Sequence, residues 1–245
     1  VPELAASGWV LLAVAAMIVG LSKTAIPGAT TVAVAIFAAV LPARQSTGAL
    51  LLLLLVADVF AVTAYRRHAD LRALLRLAPA VVVGLVLGAV FLALADDAWV
   101  KRVIGIILLV VIAVTLLRRR AAAVIAERMH PASTATYGAL AGFTTMVANA
   151  AGPVMSMYFI AARFEVKRFL GTAAWFFALV NLSKLPFSIG LGLITPPGLL
   201  LDLVLVPLVV LGALAGRWLA GRLDQRLFER LVIGFTVVGA VYLLV

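Results

Sequence analysis

From Gly8 to Leu41 the chain is apolar except for one interruption, Gly20-Leu21-Ser22-Lys23-Thr24-Ala25-Ile26-Pro27-Gly28. A straight helix over the whole segment would run roughly 50 Å. That is too long for a hydrocarbon core of ~30 Å, even with tilt. The arms on either side, Gly8–Val19 and Ala29–Leu41, reach only ~18–20 Å each. The reading is two half-helices that meet at a polar, non-helical point inside a membrane. Such backbone is tolerated at that depth only where protein buries it or where it lines a wet cavity. Transporters hold their substrates at such breaks.

Composition agrees. The chain is 65% hydrophobic and 12% charged, with mean hydropathy +1.22. Soluble domains sit near ~45–50% apolar and ~25% charged. Helix-length apolar runs favour an all-α polytopic membrane protein over a barrel. The net charge of +10 comes from cations in loops between apolar runs, which makes them topology signals rather than a nucleic-acid surface. No cysteine is present, so disulfides, thiolate metal sites and Cys nucleophiles are excluded. His68 and His130 lie among loop arginines and read as solvated. No Ser/His/Asp spacing, Walker loop or HExxH occurs, and neither a cofactor nor a metal is expected. The chain opens on Val1, which leaves room for an upstream Met or leader.

In order, the expected elements are a re-entrant pair over 8–41 and spans over 46–65, 74–94 and 99–117. A connector on the cytoplasmic side follows over 121–135. The second half repeats the plan with a segment over 137–162, broken at Asn149-Ala150-Ala151-Gly152-Pro153, and spans over 170–189, 199–220 and 231–245. The segment 137–162 is open to two readings, re-entrant or one kinked span. Residues 1–120 and 136–245 align by eye. Pro27 matches Pro153, Thr47 matches Thr172, and Val103-Ile104-Gly105 matches Val232-Ile233-Gly234. Pro79, Gly84 and Gly88 match Pro207, Gly212 and Gly216 at one constant offset. Weak internal symmetry of this kind marks secondary transporters built from repeats.

Charge sets the topology. If each broken segment returns to the side it came from, each half has three spans, an odd number, and the halves are inverted. Fifteen of the twenty cations then collect on one side, in Arg66–Arg76, Arg118–Arg128, Arg163–Arg168 and Arg217–Arg230. Arg44, Lys101 and Arg102 lie on the other. The positive-inside rule therefore favours two inverted-topology repeats with both termini outside.

Lys23 and Lys184 lie within apolar segments, where an ammonium costs roughly 2.5–3.5 kcal/mol or more. Each faces a cavity or a partner. The plain alternatives are snorkelling to an interface or a static ion pair with Asp58. The functional reading is coordination of an anion, helped by Ser22, Thr24 and half-helix N-termini near Gly152. Thr145, Asn149, Thr172 and Asn181 can donate to the same oxyanion, or can simply bond helix to helix. Asp58, the acid inside a core span, is a candidate to pair with a lysine or to carry the coupling ion, a proton or sodium. Glu3, Asp70, Asp96, Asp97 and Asp202 read as solvated at interfaces. Tyr65, Trp99, Trp175 and Trp218 read as belt or packing aromatics.

At these residues the chain resembles the sulfite exporter TauE/SafE family of membrane transporters. The resemblance runs from Gly20 to Val245 and rests on the two breaks, on Gly171-Thr172-Ala173 with Asn181-Leu182-Ser183-Lys184, and on the Pro/Gly pattern of the next helix. Many members carry a Gly-Gly-Gly-type run where this chain has Lys23-Thr24-Ala25. The resemblance implies a transporter of the bacterial cytoplasmic membrane for sulfite, sulfoacetate or related sulfonates. The expectation is alternating access with the anion at the midplane between the breaks, in a chain that acts alone or as a homodimer. Rival readings are an anion channel, a membrane enzyme acting on lipid phosphate, for which no nucleophile cluster is visible, and a scaffold subunit without transport.

Overall fold

The computed structural model describes residues 4–26, 29–121 and 131–220, with residues 222, 227 and 230 beyond them. Pro27, Gly28, most of the connector, most of the last basic loop and the expected span 231–245 lie outside the described residues. Among those described there is no strand. The helices are α1 (Ala6–Thr24), α2 (Thr30–Val40), α3 (Ala43–Tyr65), α4 (Leu71–Leu94), α5 (Asp97–Ala121), α6 (Pro131–Ala148), α7 (Ala151–Ala161), α8 (Val166–Gly190) and α9 (Pro196–Ala220). Helices α1, α3, α4, α8 and α9 are long and apolar enough to cross a membrane, whereas α2 and α7 are short apolar helices. The spans expected over 46–65, 74–94, 99–117, 170–189 and 199–220 fall inside α3, α4, α5, α8 and α9.

The first break is narrower than the sequence suggests. Helix α1 continues through Ser22, Lys23 and Thr24 and ends at Ala25. It rises ~28 Å, so Gly8–Val19 is the middle of a longer helix. The polar residues do not break it because their hydroxyls are satisfied within and beside it. Ser22 Oγ donates to the Val19 carbonyl at 2.8 Å, and Thr24 Oγ donates to the Ala213 carbonyl at 3.0 Å. Back-bonding of this kind is compatible with a continuing helix.

Both broken segments fold back on themselves. A Cβ at Gly8, near the start of α1, would lie 3.4 Å from Val40 at the end of α2. Tyr137, near the start of α6, meets Tyr158, near the end of α7, edge-on with ring centroids 5.8 Å apart. The second fold-back turns at Asn149, whose φ is 53°. Asn tolerates the left-handed region better than most residues, because its short polar side chain bonds locally.

Helices α3 and α8 form the centre and run antiparallel. Gly48 of α3 abuts the backbone at Leu193–Ile194, after α8, and Gly171 of α8 abuts the backbone at His68–Ala69, after α3. Two close crossings flank them. A Cβ at Gly20 of α1 would overlap the Val209 carbonyl and Ala213 nitrogen of α9, and one at Gly142 of α6 would overlap the Val81 carbonyl and Leu85 nitrogen of α4. Gly212 meets the Met17 carbonyl, and Gly84 meets the Ala139 carbonyl. Missing side chains let these backbones touch, the usual basis of helix association in lipid. The contacts make α1 parallel to α9 from the Gly48 end, and α6 parallel to α4 from the Asp70 end.

Candidate functional site

Asp58 lies ten residues beyond Gly48, and Asn181 ten residues beyond Gly171. Each has therefore risen ~15 Å from its own end of the α3–α8 pair, half of a ~30 Å hydrocarbon core. There Asn181 Nδ2 donates to Asp58 Oδ2 at 2.6 Å. Lys23 closes on the other carboxylate oxygen, with Nζ 2.8 Å from Asp58 Oδ1. The same ammonium sits 4.1 Å from the centroid of Phe177, one turn before Asn181. A cation over a ring face gains ~2 kcal/mol when desolvated.

On the Asn181 side the chain of contacts continues to the second lysine. Lys184 Nζ donates to Asn149 Oδ1 and lies 3.4 Å from Thr145 Oγ and 3.5 Å from Asn181 Oδ1. Asn149 Nδ2 in turn donates to the Thr47 carbonyl at 2.9 Å. Both ends of the Asn149 amide are thereby fixed, and the turn at the end of α6 is locked to α3. The residues from Lys23 through Asp58, Asn181 and Lys184 to Asn149 form one connected polar network. Lys184 is 0% exposed, Asp58 1% and Lys23 6%.

The network holds two lysines and one carboxylate. Lys23 has a carboxylate. Lys184 has only the oxygens of two amides and one hydroxyl, and among the described residues no acid pairs with it. An isolated buried ammonium is costly unless something compensates it. One turn on from Lys184, Ser188 is buried, and its hydroxyl has no hydrogen-bond partner among the described residues. Asn181, Lys184 and Ser188 share one face of α8 by helical spacing.

Not every expected residue joins this cluster. Lys23, Lys184, Asn149, Asn181 and Asp58 do. Ser22 and Thr24 are buried at the end of α1 but are engaged structurally. Ser22 Oγ and Thr30 Oγ lie 2.8 Å apart, tying α1 to the start of α2. The Thr24 carbonyl accepts from the Tyr65 hydroxyl at 2.7 Å, and the absent side chain of Gly216 makes room for its hydroxyl. Tyr65, expected as a belt or packing aromatic, ties α3 to α1. Gly152 is buried in the first turn of α7. Thr172 is three turns before Lys184, ~18 Å along α8, and its hydroxyl accepts from the Asp70 backbone at 2.9 Å. Ser188 and Phe177 were missed by the sequence reading. Their spacing from Lys184 and Asn181 on one helix was the available signal.

Of the acids expected to be solvated, Asp70 is partly exposed but engaged, and Asp202 is buried. Asp70 caps α4 through Ala73 N–H and pairs with Arg168, and the Arg168 bond holds its carboxyl below the usual range. Asp202 is 4% exposed in α9, because the 191–195 turn and the start of α3 fold over it. Its proximity to the end of an apolar run suggested an interface, but the chain packs back onto it.

The basic loops around Arg67, Arg72, Lys167 and Arg168 line one open groove at the Asp70 end, shared with Asp70 and Glu165. Arg44 lies elsewhere, on carbonyls of Leu92 and Ala95. No group of three or more metal-ligating side chains occurs among the described residues.

Compared with known proteins, the chain matches the family described as sulfite exporter TauE/SafE over residues 12–243. No curated protein and no solved structure matches it. The match covers nearly all of the 245 residues, including both breaks and every helix that contributes to the buried network. This multi-pass membrane protein belongs to the sulfite exporter TauE/SafE family of membrane transporters.

Proposed function

We propose that the chain is a secondary transporter that carries a small sulfur oxyanion, sulfite or a sulfonate, bound beside Lys184 at the membrane midplane. One observation carries this reading: a buried network with two lysines and one carboxylate, in which the second lysine meets only neutral oxygens. An oxyanion there would complete the charge balance and accept from Lys184, the Ser188 hydroxyl and Asn181. Lys23 would act indirectly, by holding Asp58 and with it Asn181. Ser22, Thr24 and Thr172 shape the surrounding helices rather than the anion contacts, and Gly152 lies in the first turn of the half-helix beyond Asn149. The family name supplies the sulfur chemistry; the network supplies only the requirement for a small anion.

The halves would act as two inverted repeats that rock about the α3–α8 pair to alternate access. The equivalent close approaches of Gly20 to α9 and Gly142 to α4, of Gly212 to α1 and Gly84 to α6, and of Gly48 to the turn after α8 and Gly171 to the turn after α3 support that arrangement. So does the approach of the two hairpins from opposite ends of α3. The clustering of Arg67, Arg72, Lys167 and Arg168 at one end supports placing that end in the cytoplasm of a bacterial cell, with both termini outside. The anion and the lipid bilayer are the proposed partners, and a homodimer is compatible with this layout.

The test is flux of labelled sulfite and sulfoacetate into proteoliposomes, with wild type beside Lys184→Ala and Lys23→Ala. Loss of flux in Lys184→Ala, with trans-stimulated exchange in wild type, is the expected result. Wild-type flux in both variants would refute the site, and flux without trans-stimulation would mark a channel.

A further inference from the structure

The acid that the network leaves unused is Asp202. It lies in the second turn of α9, 4% exposed, and neither carboxylate oxygen has a hydrogen-bond partner among the described residues. It lines a cavity of about 20 Å³ with Gln45, Ala49, Leu52, Leu193 and Thr195. That space holds roughly one water. The cavity lies at the Gly48 end of the bundle, opposite the basic groove.

Among the described residues no charge compensates this carboxylate. Of the elements packed on α9, α1 has Lys23 as its charged residue, and that ammonium is held by Asp58. The register of Met17 on Gly212 places it ~24 Å along the crossing from Asp202. Helix α3 carries Arg44, bound to the Leu92 and Ala95 carbonyls, Asp58, bound to Lys23, and Tyr65, at the far end. The turn over 191–195 carries no ionisable side chain. In α9 itself Arg217 lies four turns away. An ionised carboxylate in these surroundings would cost several kcal/mol. Either a proton or a metal cation could remove that cost. A hard cation asks for about six oxygen ligands, whereas most of the cavity's side chains are apolar, and Thr195 Oγ already accepts from Gly198 N–H at 3.2 Å.

We propose that Asp202 is a proton-binding site, reached from the Gly48 end of the bundle, and that its protonation couples proton movement to transport. Protonation from the aqueous phase at the Gly48 end forms one O–H bond and neutralises the carboxylate; for coupling, that O–H bond breaks after the halves rock, and the proton leaves to the aqueous phase at the opposite end. Asp58, expected from sequence either to pair with a lysine or to carry the coupling ion, is paired with Lys23 and bonded to Asn181. The coupling half of this proposal rests on the transport reading above, whereas the proton site does not.

The experiment is infrared difference spectroscopy of the full chain in nanodiscs across pH 5–9, together with sulfite flux driven by a pH gradient in proteoliposomes. The expected spectrum is a carboxylic-acid carbonyl band near neutral pH that titrates, survives Asp58→Asn and is absent in Asp202→Asn. Asp202→Glu should move the band, which keeps the assignment testable if the Asn variant folds poorly. Absence of the band in wild type, its survival in Asp202→Asn, or its displacement by added sodium would overturn the proton site. Asp202→Asn should retain sulfite exchange yet lose at least tenfold of its gradient-driven accumulation; equal accumulation would overturn coupling. If wild type moves no sulfite at all, the transport reading fails, and the infrared band still decides Asp202.

Discussion

Asn181 Nδ2 donates to Asp58 Oδ2 at 2.6 Å, joining the middle of α8 to the middle of α3. The bond orients the amide of Asn181, turning Oδ1 toward Lys184. It also holds the carboxylate where Lys23 reaches it. One ion pair and one lysine held only by neutral oxygens are thus joined in a single network.

The ion pair should behave as a coupled unit. Lys23→Met leaves Asp58 buried without its cation, and the expected loss is about 3–5 kcal/mol. The double variant Lys23→Met/Asp58→Asn should recover much of that loss, because no charge is then stranded. Denaturant unfolding in micelles measures both, and strictly additive losses would show that the pair is not coupled.

Ser188 should matter only when the anion is present. Its free hydroxyl predicts that Ser188→Ala leaves the melting temperature without anion nearly unchanged. Anion affinity should fall about tenfold, since a hydrogen bond to a charged group is worth ~1.5–3 kcal/mol. Thermal shifts against sulfite concentration make the comparison.

The glycine crossings should tolerate no added methyl group. Gly20→Ala and Gly142→Ala each drive a Cβ into a facing backbone, and separating the helices should cost ~1–3 kcal/mol. Gly105→Ala is the control. Among the described residues nothing lies within 4 Å of a Cβ there, so it should not destabilise and should gain up to ~1 kcal/mol of helix propensity. Unfolding of the three variants side by side tests this contrast.

At the Asp70 end the prediction concerns pH. Arg168 holds the Asp70 carboxyl below its ordinary value. The stabilisation is therefore present above the unfolded value near ~3.9 and is lost as pH falls through the lower folded value. Arg168→Met should cost ~0.2–1 kcal/mol at pH 7, the range for exposed pairs, and the difference from wild type should close below about pH 4. Melting curves across pH 3–7 read this directly.

Much of this was legible in the chain because lipid imposes simple rules. Run length located α3, α4, α8 and α9 within a few residues. The cost of a buried ammonium singled out Lys23 and Lys184. The recurring Pro and Gly of α4 and α9 identified the surfaces that cross α6 and α1. The ends of α1 were less legible, because hydroxyl back-bonding lets a helix run through Ser22 and Thr24. The burial of Asp202 depends on how a turn folds back onto α3. No local pattern encodes that, and the division of labour between Lys23 and Lys184 is likewise a matter of which side chains the packing brings together.

The most direct measurement of the central claim is calorimetric titration of sulfite and sulfoacetate into the purified protein in nanodiscs, with wild type beside Lys184→Met. The account predicts saturable binding of at least one of these anions to wild type and at least a tenfold loss in the variant. It also predicts that the variant, relieved of an uncompensated buried charge, melts no lower than wild type without anion. Equal binding by the two proteins would contradict it.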